Sequence, residues 1–206
     1  MSSWLQFAAL VGLLTMLPGI DTAQVLRSSI KGGPRLAYLT LVGIMAGVWV
    51  WGVAAAVGVS AILLASATAY TVVRYLGAAY LIYLGVRMVV EARRAGGLVL
   101  GKTSVNDTPV RAMVKAFMVT LTNPKNGAFY VAILPQFVPV DMNPILAGLA
   151  LATIHNLLVL VWFTAVIFLT NLAKNFFAKP RVGQTMEYVS GAALFGFGVK
   201  MALERA

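Results

Sequence analysis

Six apolar windows run along the chain between short polar segments, and two of those windows are interrupted from within. A hydrocarbon core about 30 Å thick takes roughly 20 helical residues to cross. Windows of that length predict spans at Trp4–Leu26, Leu36–Leu64, Thr71–Val90, Ala112–Val138, Ile145–Leu172 and Thr185–Leu203. The second and fifth exceed a straight crossing, so they are expected to tilt or to lie partly in the interface. The interruptions are Pro18-Gly19-Ile20-Asp21 in the first window and Asn123-Pro124-Lys125-Asn126 in the fourth. Proline removes a backbone donor and breaks the helix, which frees main-chain groups for a bound solute. Broken apolar segments at corresponding places in two halves are the sequence mark of a transport site.

The polar stretch Glu91–Arg111 divides a single transmembrane domain, residues 1–206, into halves 1–90 and 112–206. The third span of each half aligns without a gap. Tyr75, Ala79, Leu81, Gly85, Val86 and Met88 fall on Tyr188, Ala192, Leu194, Gly198, Val199 and Met201, and Arg87 falls on Lys200. The two prolines at the breaks, Pro18 and Pro124, keep this correspondence. Three spans per half start the second copy on the opposite side of the membrane, which makes the repeat inverted. The expected fold is therefore an all-α integral membrane protein. It has six transmembrane helices as two inverted three-helix repeats, with a proline-broken first helix in each half.

Composition excludes an ordinary soluble domain: 60% of residues are hydrophobic, 11% are charged and the mean hydropathy is +0.88. With no cysteine, disulfides, thiolate zinc sites and cysteine nucleophiles are all excluded. A net charge of +10 would suggest nucleic acid in a soluble protein. Here the charges lie between spans, so no nucleic-acid partner is expected and the lipid bilayer is the surrounding phase. Arg27, Lys31 and Arg35 mark loop 27–35; Arg93, Arg94, Lys102 and Arg111 mark 91–111; Lys174, Lys179 and Arg181 mark 173–184. Segment 65–70 carries no charge, and segment 139–143 carries only Asp141. The bias towards basic residues inside predicts those three loops in the cytoplasm of a bacterial inner membrane, with both termini opposite. Met1-Ser2-Ser3-Trp4 lacks the basic flank of a signal peptide, so the first apolar run is expected to stay as a span. Gly43 and Gly47 have the small-xxx-small spacing of close helix packing, which leaves a homo-oligomer open.

The breaks carry the candidate chemistry. Asn123-Pro124 is a helix-start signature, because asparagine caps well and proline suits the first helical position. The free N–H groups of such an end attract a carboxylate. Lys125 beside that positive end calls for an anion, either Asp21 or a substrate carboxylate; the bland reading is a snorkelling lysine at a proline kink. Asp21 is expected to cap the helix after Pro18-Gly19 and to hold a substrate ammonium or a coupling proton; the bland reading is a cap alone. His155-Asn156, near the middle of the fifth span, suits a proton relay or plain hydrogen-bonded packing. Glu187 is expected to be solvated at the membrane edge. No phosphate loop, metal cluster or Ser/His/Asp constellation appears, so no cofactor or metal is expected. A divalent-cation transporter would need several oxygen or sulfur ligands, and Asp21 is the only carboxylate placed clearly inside a span, Glu187 lying at the edge of the sixth. A membrane enzyme would need a nucleophile with its base, and a non-transporting subunit would need neither.

The motifs together resemble the lysine exporter / homoserine–threonine resistance translocator family (LysE/RhtB). The resemblance rests on Pro18-Gly19-Ile20-Asp21, which departs from the family's Pro-Gly-Pro-Asp at Ile20, and on the basic, glycine-rich run Leu26–Gly33. It also rests on Gly77–Gly85, on Asn123-Pro124-Lys125 and on Leu134-Pro135-Gln136-Phe137. It implies a bacterial inner-membrane exporter of amino acids or close analogues, driven by the proton gradient.

Overall fold

The computed structural model describes residues 3–16, 19–65, 67–92, 108–139, 142–177 and 179–203. Pro18, most of the 91–111 linker with Arg93, Arg94 and Lys102, and Asp141 lie outside the described residues, as do the side chains of Pro124, Lys125 and Lys174. The described chain is helical almost throughout: α1 (Ser3–Met16), α2 (Ile20–Ala65), α3 (Ala67–Ala92), α4 (Pro109–Leu121), α5 (Pro124–Ile133), a 3-10 turn (Leu134–Phe137), α6 (Pro144–Phe168), α7 (Thr170–Phe177) and α8 (Pro180–Leu203). Proline opens α4, α5, α6 and α8, where its missing donor costs nothing and its φ already suits a helix. Asn143 caps α6 by accepting from the Ile145 and Leu146 amides at 3.0 and 3.2 Å. Thr108 caps α4 through the Arg111 amide at 3.4 Å.

The segment 27–35, expected as a loop, is helical apart from one residue. Gly33 takes φ +70° and ψ −171°, which an L side chain rarely adopts, and Pro34 restarts the helix. This bend divides α2 into arms α2a (20–32) and α2b (34–65). A straight helix would separate Ser28 from Thr40 by about 18 Å. Their hydroxyls instead lie 2.7 Å apart, so the two arms fold back on each other at Gly33. Arg27 and Lys31 therefore ride on a helix.

Three further expectations are corrected. The fifth span was drawn to Leu172, but α6 stops at Phe168, Leu169 leaves helical geometry, and Thr170 donates its hydroxyl back to the Ile167 carbonyl at 2.6 Å. The segment 173–184, expected as a loop, is partly the short α7, which leaves Leu172 and Phe176 exposed. The fourth window ends its α-helix at Ile133 rather than Val138, because Pro135 tightens the chain into a 3-10 turn.

Among the described residues, three helices are long and apolar enough by length and composition to cross a membrane, with such stretches at Ile20–Gly58 (which folds back at Gly33), Tyr75–Ala92 and Pro144–Phe168. At 14 and 13 residues, α1 and α4 each rise roughly 20 Å, short of a full crossing. The chain is a multi-pass membrane protein in architecture. Helix α2 packs against α4 and α6, and α3 packs along α8. A close crossing joins Gly85 to Gly191: a Cβ on either would sit 2.6 Å from the other's carbonyl oxygen, so only glycine fits. Gly43 and Gly47 pack against α4 at Met113 and Thr120, an intramolecular use of that spacing. Phe7 on α1 meets Phe137 edge-on at 5.4 Å and joins Phe129 in the core.

Candidate functional site

The two breaks meet. After α1 stops at Met16, α2a begins at Ile20, with the Ala23 amide donating to the Gly19 carbonyl at 3.0 Å. The Gly19 amide donates to Thr22 Oγ1 at 3.4 Å, so glycine holds the cap position and Thr22 reaches back to close it. Asp21, expected as the cap, is corrected to the second helical position, where a carboxylate favours the positive helix end. Its Oδ1 is thereby turned to other partners. It accepts from Thr120 Oγ1 at 3.0 Å and from Gln24 Nε2 at 3.4 Å.

Thr120 belongs to the other break. It is fully buried in the last turn of α4, ahead of Thr122 and Asn123, where the helix is interrupted. Asn123 stands at the start of α5, where its backbone carbonyl accepts from the Asn126 and Gly127 amides at 3.0 and 3.2 Å. Asn126 Nδ2 donates to the Thr120 carbonyl at 3.4 Å. Thr120 thus links Asp21 to Asn126 with its hydroxyl on one side and its carbonyl on the other. Another carbonyl near the end of α4, that of Leu121, accepts from Trp51 Nε1 at 3.1 Å. The sequence reading missed both Thr120 and Trp51. A polar residue in the last turn before an Asn-Pro break is the signal that pointed to Thr120.

His155 joins three helices. Its Nδ1 lies 2.7 Å from Tyr130 Oη on α5, and its Nε2 lies 3.2 Å from Thr15 Oγ1 on α1. The Thr15 hydroxyl donates to the Val11 carbonyl at 2.6 Å, which commits its single proton. Thr15 is then left to accept from His155 Nε2, and an imidazole carrying its one proton there would accept from the Tyr130 hydroxyl at Nδ1. The histidine therefore serves packing as well as lining the cavity. Asn156 is buried, with Nδ2 donating to the Ala152 carbonyl at 3.2 Å, and it is not part of the cavity wall.

A cavity of about 420 Å³ opens between these elements, within the range of roughly 300–1,000 Å³ usual for small-molecule sites. Asp21, Asn123, Asn126 and His155 line it, together with apolar side chains such as Phe129, Leu81 and Leu194. So do Arg87, Glu91 and Glu187. Glu187, expected to be solvated, is half-buried in the wall, and Glu91, assigned to the linker, stands on α3. Depth counted along the sequence misjudged Glu187, because the face of a helix decides whether a side chain turns inward, and Glu91 was placed outside the span because α3 runs on to Ala92. Among the described residues no group of three or more His, Cys, Asp or Glu could hold a metal ion.

Residues 13–205 match the LysE type translocator family. An uncharacterized membrane protein of Bacillus subtilis, YrhP, is 30% identical over 209 residues, which cover 98% of this chain and all of that protein. A leucine efflux protein of Enterobacter sp. is 28% identical over 192 residues, 92% of this chain and 90% of its own. A homoserine/homoserine lactone efflux protein of Salmonella typhimurium is 31% identical over 135 residues, 66% and 64% of the two chains. No solved structure matches the chain. The match runs from the last turns of α1 to beyond α8 and bears out the resemblance carried by the motifs at both breaks, so the chain belongs to the LysE type translocator family.

Proposed function

We propose that this chain is a secondary transporter that exports amino acids or close analogues across the bacterial inner membrane, exchanging them for protons by alternating access. The observation that carries this reading is the cavity at the junction of the two breaks, where Asp21, Thr120 and Asn126 are tied together. The names of the leucine efflux and homoserine/homoserine lactone efflux relatives support the substrate class. Asp21 holds the substrate ammonium or the exchanged proton. The start of α5 at Asn123-Pro124, with Lys125 and Asn126, receives the carboxylate. Gly19 opens α2a, which sets Asp21 on the cavity wall, and Pro18 is read as the helix-breaking residue ahead of it. His155 acts by joining α1, α5 and α6 around the site, and Asn156 takes no direct part.

The moving parts are the halves 1–90 and 112–206, read as inverted three-helix repeats joined by 91–111. Contacts support this reading. Under the alignment of the third spans, Gly85 maps to Gly198 and Gly191 to Ala78. The Gly85–Gly191 crossing then has its counterpart in Gly198 against Ala78, where a Cβ on Gly198 would lie 2.9 Å from the Ala78 carbonyl oxygen. Gly52 against Ala152 and Gly148 against Ala56 form a second such pair. The basic segments belong on the cytoplasmic side, with both termini opposite.

The test is efflux from proteoliposomes loaded with labelled amino acids, with and without an imposed proton gradient. Release of a subset, accelerated when protons flow inward against it, is expected. Folded, inserted protein that releases none of them would overturn the reading.

A further inference from the structure

The cavity carries charges that the transport reading leaves without a task. Arg87 and Glu91 stand one helical turn apart on α3, with Arg87 Nε donating to Glu91 Oε1 at 2.7 Å. Both side chains are 56% exposed although both line the cavity, so they mark its open rim. An ion pair this exposed holds its partners loosely, because solvent screens both charges and the long side chains lose freedom on pairing. A guanidinium also offers five N–H donors in a planar fork that matches a carboxylate edge to edge. A free carboxylate arriving at the rim therefore competes with Glu91 on near-equal terms.

The balance of charge narrows the role. Among the described side chains of the wall, Arg87 is the one cation, set against the carboxylates of Asp21, Glu91 and Glu187. Such a wall attracts an ammonium readily and repels an anion. An amino acid is both, and among the described side chains of this rim Arg87 is the cation that can receive its carboxylate end.

We infer that Arg87 is the capture site for the α-carboxylate of the exported amino acid, which displaces Glu91 from the guanidinium at the cavity mouth. This rests on the export reading above. The carboxylate lands first on Arg87 and then passes to the start of α5, while the ammonium is drawn inward to Asp21. Glu91 acts as a stand-in for the substrate and recovers Arg87 when the mouth is empty.

The experiment is a thermal-shift titration of the purified protein in lipid nanodiscs against the common L-amino acids, followed by the amide of the tightest binder. Arg87→Gln is expected to weaken the amino acid about tenfold, the scale of a lost charged hydrogen bond at a wet site, and Arg87→Lys to recover part of that. Glu91→Gln is expected to tighten binding about twofold, because it removes a weakly held competitor. The amide lacks the carboxylate and is expected to bind wild type and Arg87→Gln alike. The inference is overturned if Arg87→Gln binds like wild type, if the amide loses as much as the acid, or if Arg87→Gln and Glu91→Gln weaken binding together, as a purely structural tie would. Unfolding without ligand checks each variant. Should Arg87→Gln fail to fold, the sign of the Glu91→Gln change and the partial loss in Arg87→Lys decide. Wild type that binds no amino acid at all defeats the export reading before any variant is compared, and the capture role falls with it.

Discussion

The first break restarts its helix on a glycine and an acid, whereas the second restarts on an asparagine and a proline. Gly19 and Thr22 satisfy the opening turn of α2a between them, which releases the Asp21 carboxylate to reach across to α4. Asn123 spends its carbonyl on opening α5, and the nearby side-chain amide of Asn126 turns back to Thr120. The breaks correspond in position and differ in chemistry: one contributes negative charge, the other a helix start and amide donors. A symmetric pair of breaks would offer the same group twice. A zwitterion needs an anion for its ammonium and donors for its carboxylate, and under the proposed export reading the asymmetry supplies both.

The largest expected effect falls on the charged side of this contrast. Asp21→Asn keeps the size of the group and its acceptor oxygen while removing the charge. Efflux in proteoliposomes is expected to fall about a hundredfold, the scale of losing one member of a paired charge. The residual flux should no longer respond to the proton gradient. Normal flux with intact gradient dependence would shift the charged role away from the first break. Thr120→Val comes next, because it severs the link between the breaks at nearly constant volume. The loss of the 3.0 Å donor to Asp21 is expected to lower kcat/KM about tenfold. Thr120→Ser should restore most of it, and failure of that rescue would make the methyl group, rather than the hydroxyl, the part that matters.

Tyr130→Phe separates the proton step from packing. It deletes the hydroxyl of fully buried Tyr130 that lies 2.7 Å from Nδ1 of half-buried His155. A loss of roughly 2 kcal/mol in stability is expected, with flux falling about threefold and, if the proton travels on Asp21, its proton dependence unchanged. A changed proton dependence would move that role to the second half, onto His155.

Where the helices break was legible in the sequence because the cause is local. Pro124 and Pro144 sit beside asparagines at helix starts, and Pro18-Gly19 precedes the restart at Ile20. What the breaks touch was not legible. Asp21 and Thr120 are 99 residues apart, and no periodicity connects them. The helical course of 27–32 was also hidden, since Ser28 and Ser29 find their partners, Thr40 and Thr170, only once the chain has folded back. Glu187 was misjudged because its distance from the membrane edge can be counted along the chain, whereas the face it presents depends on how α8 lies against α3.

The smallest effect tests whether the second break is held open from outside. Trp51 on α2b donates to the Leu121 carbonyl at 3.1 Å, at the very end of α4. Its ring lies over Gly127, where an added Cβ would approach a ring carbon to 2.5 Å, so the indole fits only because that residue has no side chain. Interhelical hydrogen bonds in membranes average about 0.6 kcal/mol, and the ring itself stays packed when Trp51 becomes Phe. Trp51→Phe is therefore expected to cost about 1 kcal/mol in stability and to change flux less than twofold. Gly127→Ala meets the same ring from the other side and cannot be accommodated without moving the indole. If α5 owes its position to Trp51, Gly127→Ala should impair transport more than Trp51→Phe does, because it displaces the helix start as well as the hydrogen bond. Equal, small effects from both would mean that Asn123 and Pro124 hold the break open by themselves, and that the second break, unlike the first, needs nothing from the rest of the fold.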